Sequence, residues 1–263
     1  MTIKPMLLKE IDFDNCCFET YKNWFWQIKE NGIRAVIHIK DNKITAIRNR
    51  NNIPVLHLFP ELKELQFKFS EAILDSEIVV FKDGKSVFYD GINQRSKSLK
   101  PKHIREKYPV SIVVFDVLKF EKDIVISKSY KERHNILQEN IEDNNLIKTA
   151  KNYDGKELWE KIIKDNEEGI VIKNPMAMYE MDSRSSNCIK IKNYKVTDVS
   201  VSEVEPNSKG VKIFGTANID SKEIKVECQF AGLDVIVGDV VKVRYLDVFN
   251  SKLIQPHKIR GVA

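Results

Sequence analysis

At 263 residues the chain is long enough to bury a sizeable core and comfortable for two domains. A composition of 42% hydrophobic and 31% charged residues excludes a disordered chain, and no window approaches the roughly 18 apolar residues of a membrane span. Net charge is +5, from 43 basic and 38 acidic residues; that suits a polyanionic partner without identifying one. The opening "MTIKPMLLKEIDFDN" lacks an apolar core followed by a small-residue cleavage site, so no secretory signal and a cytoplasmic location are expected. The cysteines at 16, 17, 188 and 228 form no CxxC pair, and the histidines at 38, 57, 103, 134 and 257 do not cluster. Zinc and a histidine triad are therefore disfavoured, and a reduced, intracellular compartment is expected.

In chain order, "WFWQIKENGIRAVIHIK" (24–40) reads as strand, tight polar turn, strand, with Lys29 where the first strand runs out. "KDNK" (40–43) turns the chain into a further strand, "ITAIRNRN" (44–51). "FPELKELQFKF" (59–69) predicts a short helix with Pro60 in its first turn. "EAILDSEIVVF" (71–81) and "PVSIVVFDVLKF" (109–120) are apolar strands, the second continuous enough to be buried on both faces. Ser129 with Glu132, and Asp154 with Glu157, form candidate capping boxes ahead of two helices. "EEGIVIKNP" (167–175) and "SNCIKIKNY" (186–194) are two more strands. Beyond about residue 194 five short strand candidates follow with no helix, which suggests a small all-β barrel with an OB-fold as first candidate. The domains expected are thus 1–194 and 195–263.

Chemistry enters through an ordered series of charged residues at strand ends. Lys29 is followed by Asn31, Gly32 and Arg34, and Arg50 follows a strand. Glu77 sits inside an apolar strand, where an unpaired carboxylate would be costly. Phe115 and Asp116 close "VVFD", Glu168 and Lys173 bracket "EGIVIK", and Lys190 and Lys192 share a strand face, because side chains there repeat every two residues. Taken singly, each has an ordinary explanation as core, cap or solvated surface. The order and spacing of the whole set is what ordinary explanations do not supply.

The series resembles that of the ATP-dependent DNA ligases, within the covalent nucleotidyltransferases that include RNA ligases and capping enzymes. The likeness covers almost the whole chain and is greatest to the short ligases of prokaryotic end-joining systems. It is carried also by "PML" (5–7), "FYDGINQR" (88–95), "YKERHNIL" (130–137), "RSSNCIKIKN" (184–193) and "KLIQPHKIRGV" near the end. The resemblance implies an α+β fold, with an ATP-grasp-like nucleotidyltransferase (adenylation) domain followed by an OB-fold. It implies that the Lys29 amine attacks the α-phosphate of ATP, that AMP passes to the 5′-phosphate of a nick, and that the 3′-hydroxyl displaces it. Neutralising a lysine of ordinary pKa at pH 7 costs about 4.6 kcal/mol. Desolvation by Trp24 or Phe25, and cations at Arg34, Lys190, Lys192 and a magnesium (or manganese) ion, are expected to lower that cost.

By the same resemblance Gln27 contacts the adenine amine, Phe115 stacks on the base, and Arg50 and Glu77 hold the ribose. Glu77 and Glu168 stand near the metal, Lys173 orients phosphates, and Lys190 and Lys192 grip the α-phosphate. Implied partners are nicked or broken duplex DNA and a Ku-like end-binding protein, with no membrane and a monomeric chain. The sequence departs from the family at Asn31 and Gln27, where acidic residues are usual. It departs too at Ser76 and Asn52, where glycine is usual, and at Cys188 in place of tryptophan. The competing readings are an RNA ligase or capping-type guanylyltransferase, and a non-catalytic nucleic-acid-binding relative.

Overall fold

The computed structural model describes residues 3–16, 18–97, 101–230 and 235–258, the side chains of 101–103 and 258 excepted. Cys17, the His103 side chain and the end of the last strand candidate (259–262) lie outside these. The chain divides into two compact units, residues 1–191 and 192–263.

In the first unit the main strands are β1 (Leu7–Glu10), β2 (Phe25–Ile28), β3 (Ile33–Lys40), β4 (Lys43–Asn49), β5 (Glu71–Lys82), β6 (Val110–Phe120), β7 (Gly169–Lys173) and β8 (Arg184–Lys192). They form two sheets. One runs β1, β8, β7, β2, with β1 parallel to β8 and β2 antiparallel to β7. The other is the antiparallel run β4, β3, β5, β6, extended by Asp123–Ile124. The segment 24–40 is therefore not a hairpin. β2 and β3 belong to different sheets, and the turn bearing Lys29 carries the chain from one to the other.

Two helices back the sheets, α1 (Tyr130–Asn140) and α2 (Gly155–Asp165). Ser129 and Glu132 make both halves of a capping box on α1. At α2, Asp154 takes the amides of Lys156 and Glu157, with no reciprocal bond from Glu157. The α2 face of Leu158, Trp159 and Ile162 packs on Trp26, Ile170 and Ile172 of the first sheet. Leu137 of α1 joins Leu74, Ile78, Ile112 and Val114 on one face of the second sheet. The expected helix after Pro60 is a single 3-10 stretch, Pro60–Glu64.

The second unit is built from β9 (Lys195–Asn207), β10 (Gly210–Ile219), β11 (Lys222–Phe230) and β12 (Val240–Tyr245), with short strands Asp247–Phe249, Lys252–Ile254 and His257–Lys258. Among the described residues seven strands thus stand where five were expected, because "DVVKVRYLDVF" and "KLIQPHKIRGV" each break in two. All seven share one sheet. Alternating residues, among them Ile213, Val226, Val243 and Leu253, fill its own core. No helix occurs among its described residues.

Candidate active site

A cavity opens between the two sheets of the first unit. Gln27, Ile28, Val171, Lys173 and Cys188 line it from one sheet, and Arg34, Asp75, Glu77, Val113, Phe115 and Asp116 from the other. Lys29 and Glu30 sit in the turn that joins the sheets, so they line it too.

That turn is pinned at three points. The Lys29 amide donates to Gly169 O at 2.9 Å, continuing the β2–β7 pairing by one residue. The Asn31 amide donates to Ser86 Oγ at 2.8 Å. At Gly32 an added Cβ would lie 2.3 Å from the Ile78 carbonyl oxygen and 2.7 Å from Glu77 Cγ. Glycine is required there by that close approach, which brings the turn onto β5 beside Glu77. Lys29 Nζ pairs with Glu168 Oε1 at 2.8 Å, and both side chains are largely buried. Burial pushes the Glu77 carboxyl up to about 7, against the pull of the Lys29 and Arg34 charges; neighbouring Glu168 adds to the rise. Among the described residues the ion pair of Lys29 is with a carboxylate, Glu168, and Glu77 and Glu30 lie close enough to feel its charge.

Arg34 is held instead by the fully buried Asp75, through Nε at 2.6 Å and Nη2 at 2.5 Å. Tyr179 donates its hydroxyl to the same carboxylate at 2.5 Å and accepts the Met6 amide. Arg34 and Glu77 are direct cross-strand partners on β3 and β5. Asp75 raises the arginine's already high pKa further, over the opposing effect of burial, so Arg34 is cationic at any working pH.

Phe115 owes its place to a bulge in β6. Val114 pairs with Ser76 and Asp116 with Asp75, leaving Phe115 as the extra residue. The interruption lets two successive residues, Phe115 and Asp116, both face the cavity, while Val114 and Val117 face the opposite core. Over the Phe115 ring lie the Arg34 guanidinium, 4.7 Å from its centre, and Lys173 Nζ, at 4.6 Å. These cations contact the ring to which the sequence reading gave a base. Lys173 Nζ also donates to Phe115 O at 3.0 Å and to the Tyr130 hydroxyl at 3.2 Å, and burial lowers its pKa. Gln27 is 1% exposed and donates Nε2 to the Tyr130 hydroxyl at 2.9 Å.

The remaining expected residues lie elsewhere. Arg50 is exposed in the turn after β4 and does not line the cavity. Asn49 Oδ1 ties that turn down by taking the amides of Asn51 and Ile53, with Asn52 in the left-handed region that tolerates asparagine. Lys190 pairs with Glu10 at 2.9 Å, its register partner on β1. Lys192, the first residue of the second unit, donates to Gln255 at 2.7 Å. Ile189 and Ile191 are buried while Lys190 and Lys192 are half-exposed, as the period of two requires.

Asp75, Tyr130 and Tyr179 took no role in the sequence reading. Asp75 carried a signal, being a second carboxylate two residues from Glu77 in an apolar run. Tyr179 carried none, since it lies in an irregular segment between strands. Among the described residues no three His, Cys, Asp or Glu side chains gather as a metal cage. The pair Glu77 and Glu168 suits magnesium, which commonly takes one or two carboxylates and completes its shell with phosphate oxygens and water. No helix among the described residues is long and apolar enough to cross a membrane.

Residues 5–192 match the family model described as the ATP dependent DNA ligase domain. The SPbeta prophage-derived DNA ligase-like protein LigB of Bacillus subtilis (strain 168) is 30% identical over 205 residues, covering 76% of this chain and 71% of that protein. The bifunctional non-homologous end joining protein LigD of the same organism is 28% identical over 207 residues; the match takes in 70% of this chain but only 34% of LigD. Among solved structures, the ligase domain of LigD from M. tuberculosis superimposes with a TM-score of 0.61 at 16% identity, covering 98% of this chain and 94% of that one. A Lig E DNA ligase gives 0.68 at 17% identity, with 99% of each chain covered. At such identities the likeness speaks to the fold.

Proposed function

Because this chain belongs to the family of ATP-dependent DNA ligase domains, we propose that it seals breaks in duplex DNA through a lysine–AMP intermediate on Lys29. The observation that carries the reading is the seat of that lysine. It lies at the crossing between two sheets, 2.8 Å from Glu168 and beside Glu77, at the edge of a cavity with a flat aromatic wall. In the first step the Lys29 amine forms a P–N bond to the α-phosphorus of ATP, and pyrophosphate leaves with the electrons of the broken P–O bond. The proton that the Lys29 ammonium gives up to become the nucleophile has an acceptor within reach in Glu168 Oε1. The AMP then passes to the 5′-phosphate of a nick, restoring the amine. Attack by the 3′-hydroxyl on that phosphate joins the strand and expels AMP.

Within the cavity Gln27 meets the adenine amine through its carbonyl, and the Phe115 ring takes the base. Arg34 and Lys173 border that ring with positive charge. Glu77 and Glu168 would hold a magnesium ion, which would supply positive charge to the triphosphate. Lys190 and Lys192 reach a phosphate only by giving up Glu10 and Gln255. The architecture we infer is an ATP-grasp-like nucleotidyltransferase domain over 1–194 and an OB-fold over 195–263, the latter adding sequence-independent backbone contacts to duplex DNA. A Ku-like partner follows from likeness to an end-joining protein alone.

Incubation with ATP labelled at the α-phosphate, with magnesium or manganese, is the test. A covalent adduct lost in Lys29→Ala supports the reading; no adduct with any divalent metal overturns it. Sealing of nicked DNA but not of nicked RNA duplexes separates a DNA ligase from an RNA ligase.

A further inference from the structure

We propose that Tyr130 is a positioning residue that fixes the side-chain amide of Gln27 in one orientation, and so makes the cavity select a 6-amino purine over a 6-oxo purine. The inference rests on the reading above, in which the base of the nucleotide meets Gln27.

A glutamine amide is two-faced: its carbonyl end accepts and its amino end donates. Left free to rotate by half a turn, Gln27 would serve adenine and guanine equally, offering Oε1 to the adenine 6-amine or Nε2 to the guanine 6-oxygen. A glutamate at the same position has acceptors only. A chain with Gln27 therefore needs another device to discriminate, and the surroundings of the amide supply one.

The device is the valence of one hydroxyl. Tyr130 Oη has a single proton and two acceptor sites. The proton is donated to the Phe115 carbonyl at 3.0 Å. The acceptor sites take Lys173 Nζ at 3.2 Å and Gln27 Nε2 at 2.9 Å. Burial raises the Tyr130 pKa well above its ordinary value, so the hydroxyl keeps its proton throughout the working range. Rotating the amide would set the Gln27 carbonyl against the Tyr130 oxygen unless the hydroxyl turned its proton away from Phe115, whose carbonyl would then keep only the Lys173 bond, so the rotated arrangement has one hydrogen bond fewer. Gln27, Tyr130 and Lys173 are each no more than 5% exposed, so water is poorly placed to repair the mismatch. The amide is held with Nε2 toward the tyrosine. Among the described residues no group donates to Oε1, which is left for the ligand.

The anchor is built to stay in place. Tyr130 is the first residue of α1, behind the Ser129–Glu132 capping box. One turn on, the buried Arg133 grips Asp116 at 2.7 and 3.0 Å, next to the carbonyl that Tyr130 uses. That carbonyl belongs to the extra residue of the β6 bulge, outside the register of the β5–β6 pairing, and so is open to the tyrosine and the lysine. The Phe25 ring meets Tyr130 edge-on at 5.3 Å from the same strand as Gln27.

The test is equilibrium binding of AMP and of GMP to the full-length protein, since neither can adenylylate the lysine. The native chain is expected to prefer AMP by about tenfold or more, the scale set by one mismatched buried hydrogen bond. In Tyr130→Phe that ratio should fall toward one, chiefly through tighter GMP binding. In a Gln27→Glu background, where both oxygens accept, the same Tyr130→Phe change should leave the AMP preference intact. A native chain without AMP preference overturns the proposal. So does a Tyr130→Phe chain that loses affinity for both nucleotides in equal proportion, as a merely structural tyrosine would. AMP selectivity without a covalent adduct from ATP would instead count against the lysine–AMP reading and leave this one standing.

Discussion

Glu30 follows the proposed nucleophile and shows what its surroundings do to a carboxylate. Burial, with Glu167 adding to it, lifts its carboxyl to about 7, while a hydrogen bond from Ser86 and the Lys29 and Lys148 charges pull the other way. A folded-state pKa above the ordinary 4.5 means that the folded chain binds this proton more tightly than the unfolded chain. The contribution to stability is full below about pH 4.5 and is lost as pH rises through 7. Glu30→Gln should therefore match the native protein at pH 5 and exceed it by about 2 kcal/mol at pH 8.5 in urea unfolding; equal stability at both pH values would refute this. Arg34 and Asp75 set a different expectation. Removing the arginine leaves a fully buried carboxylate whose remaining side-chain hydrogen bond, among the described residues, is the one from Tyr179, so Arg34→Ala should cost about 3–5 kcal/mol. Adding Asp75→Ala should recover part of that loss, because the stranded charge is gone; a double mutant as unstable as the sum of the two singles would contradict it.

At the scale of elements, the turn of residues 29–32 matters more than either strand it joins. It is short, it changes sheets, and it lies against β5 so closely that a methyl group on Gly32 would collide with the Ile78 carbonyl. Gly32→Ala should push the turn off β5, separating Lys29 from Glu77, and lower adduct formation from ATP by about tenfold or more. Helix α1 makes a gentler test. Its cap and reciprocal bond are both present, so Ser129→Ala should cost about 1 kcal/mol by thermal or urea unfolding. Because the helix carries Tyr130, the same variant should also broaden base selectivity slightly, and a larger effect on selectivity than on stability would be unexpected.

For the molecule as a whole, each unit has its own core, so neither depends on the other for its hydrophobic interior. A net charge of +5 is compatible with a polyanionic partner held through its phosphates. Affinity for nicked duplex should fall steeply between about 50 and 200 mM salt and change little when the duplex sequence is altered. Fluorescence anisotropy measures both, and a salt-independent or strongly sequence-dependent affinity would contradict the prediction. Deleting 195–263 should weaken nick binding; a truncated chain that binds nicks as well as the intact one would remove that domain from the DNA-binding surface.

How much of this the residues announced in advance depends on the range of the interaction. Period-two alternation, β-branched runs and turn residues are local, so most strands of both units (β1 and the breaks late in the second unit excepted), the Ser129 cap and the alternation of Lys190 with Ile191 were legible in the chain. The ordered charges from Lys29 to Lys192 marked the family for the same reason, since spacing along the chain is a property of sequence. What the order could not say was which strands share a sheet. Only the folded chain sends β2 and β3 to different sheets and so puts Lys29 at a crossing. Only there does a one-residue bulge turn Phe115 and Asp116 to the same side, and only there do Asp75 and Tyr179 close on Arg34 from 41 and 145 residues away. Arg50 failed to join them because a strand end fixes where a residue stands, not where its turn directs it. Sequence wrote the parts list and its order; pairing between distant segments, whose free energy depends on contacts that no local pattern encodes, decided which charges meet.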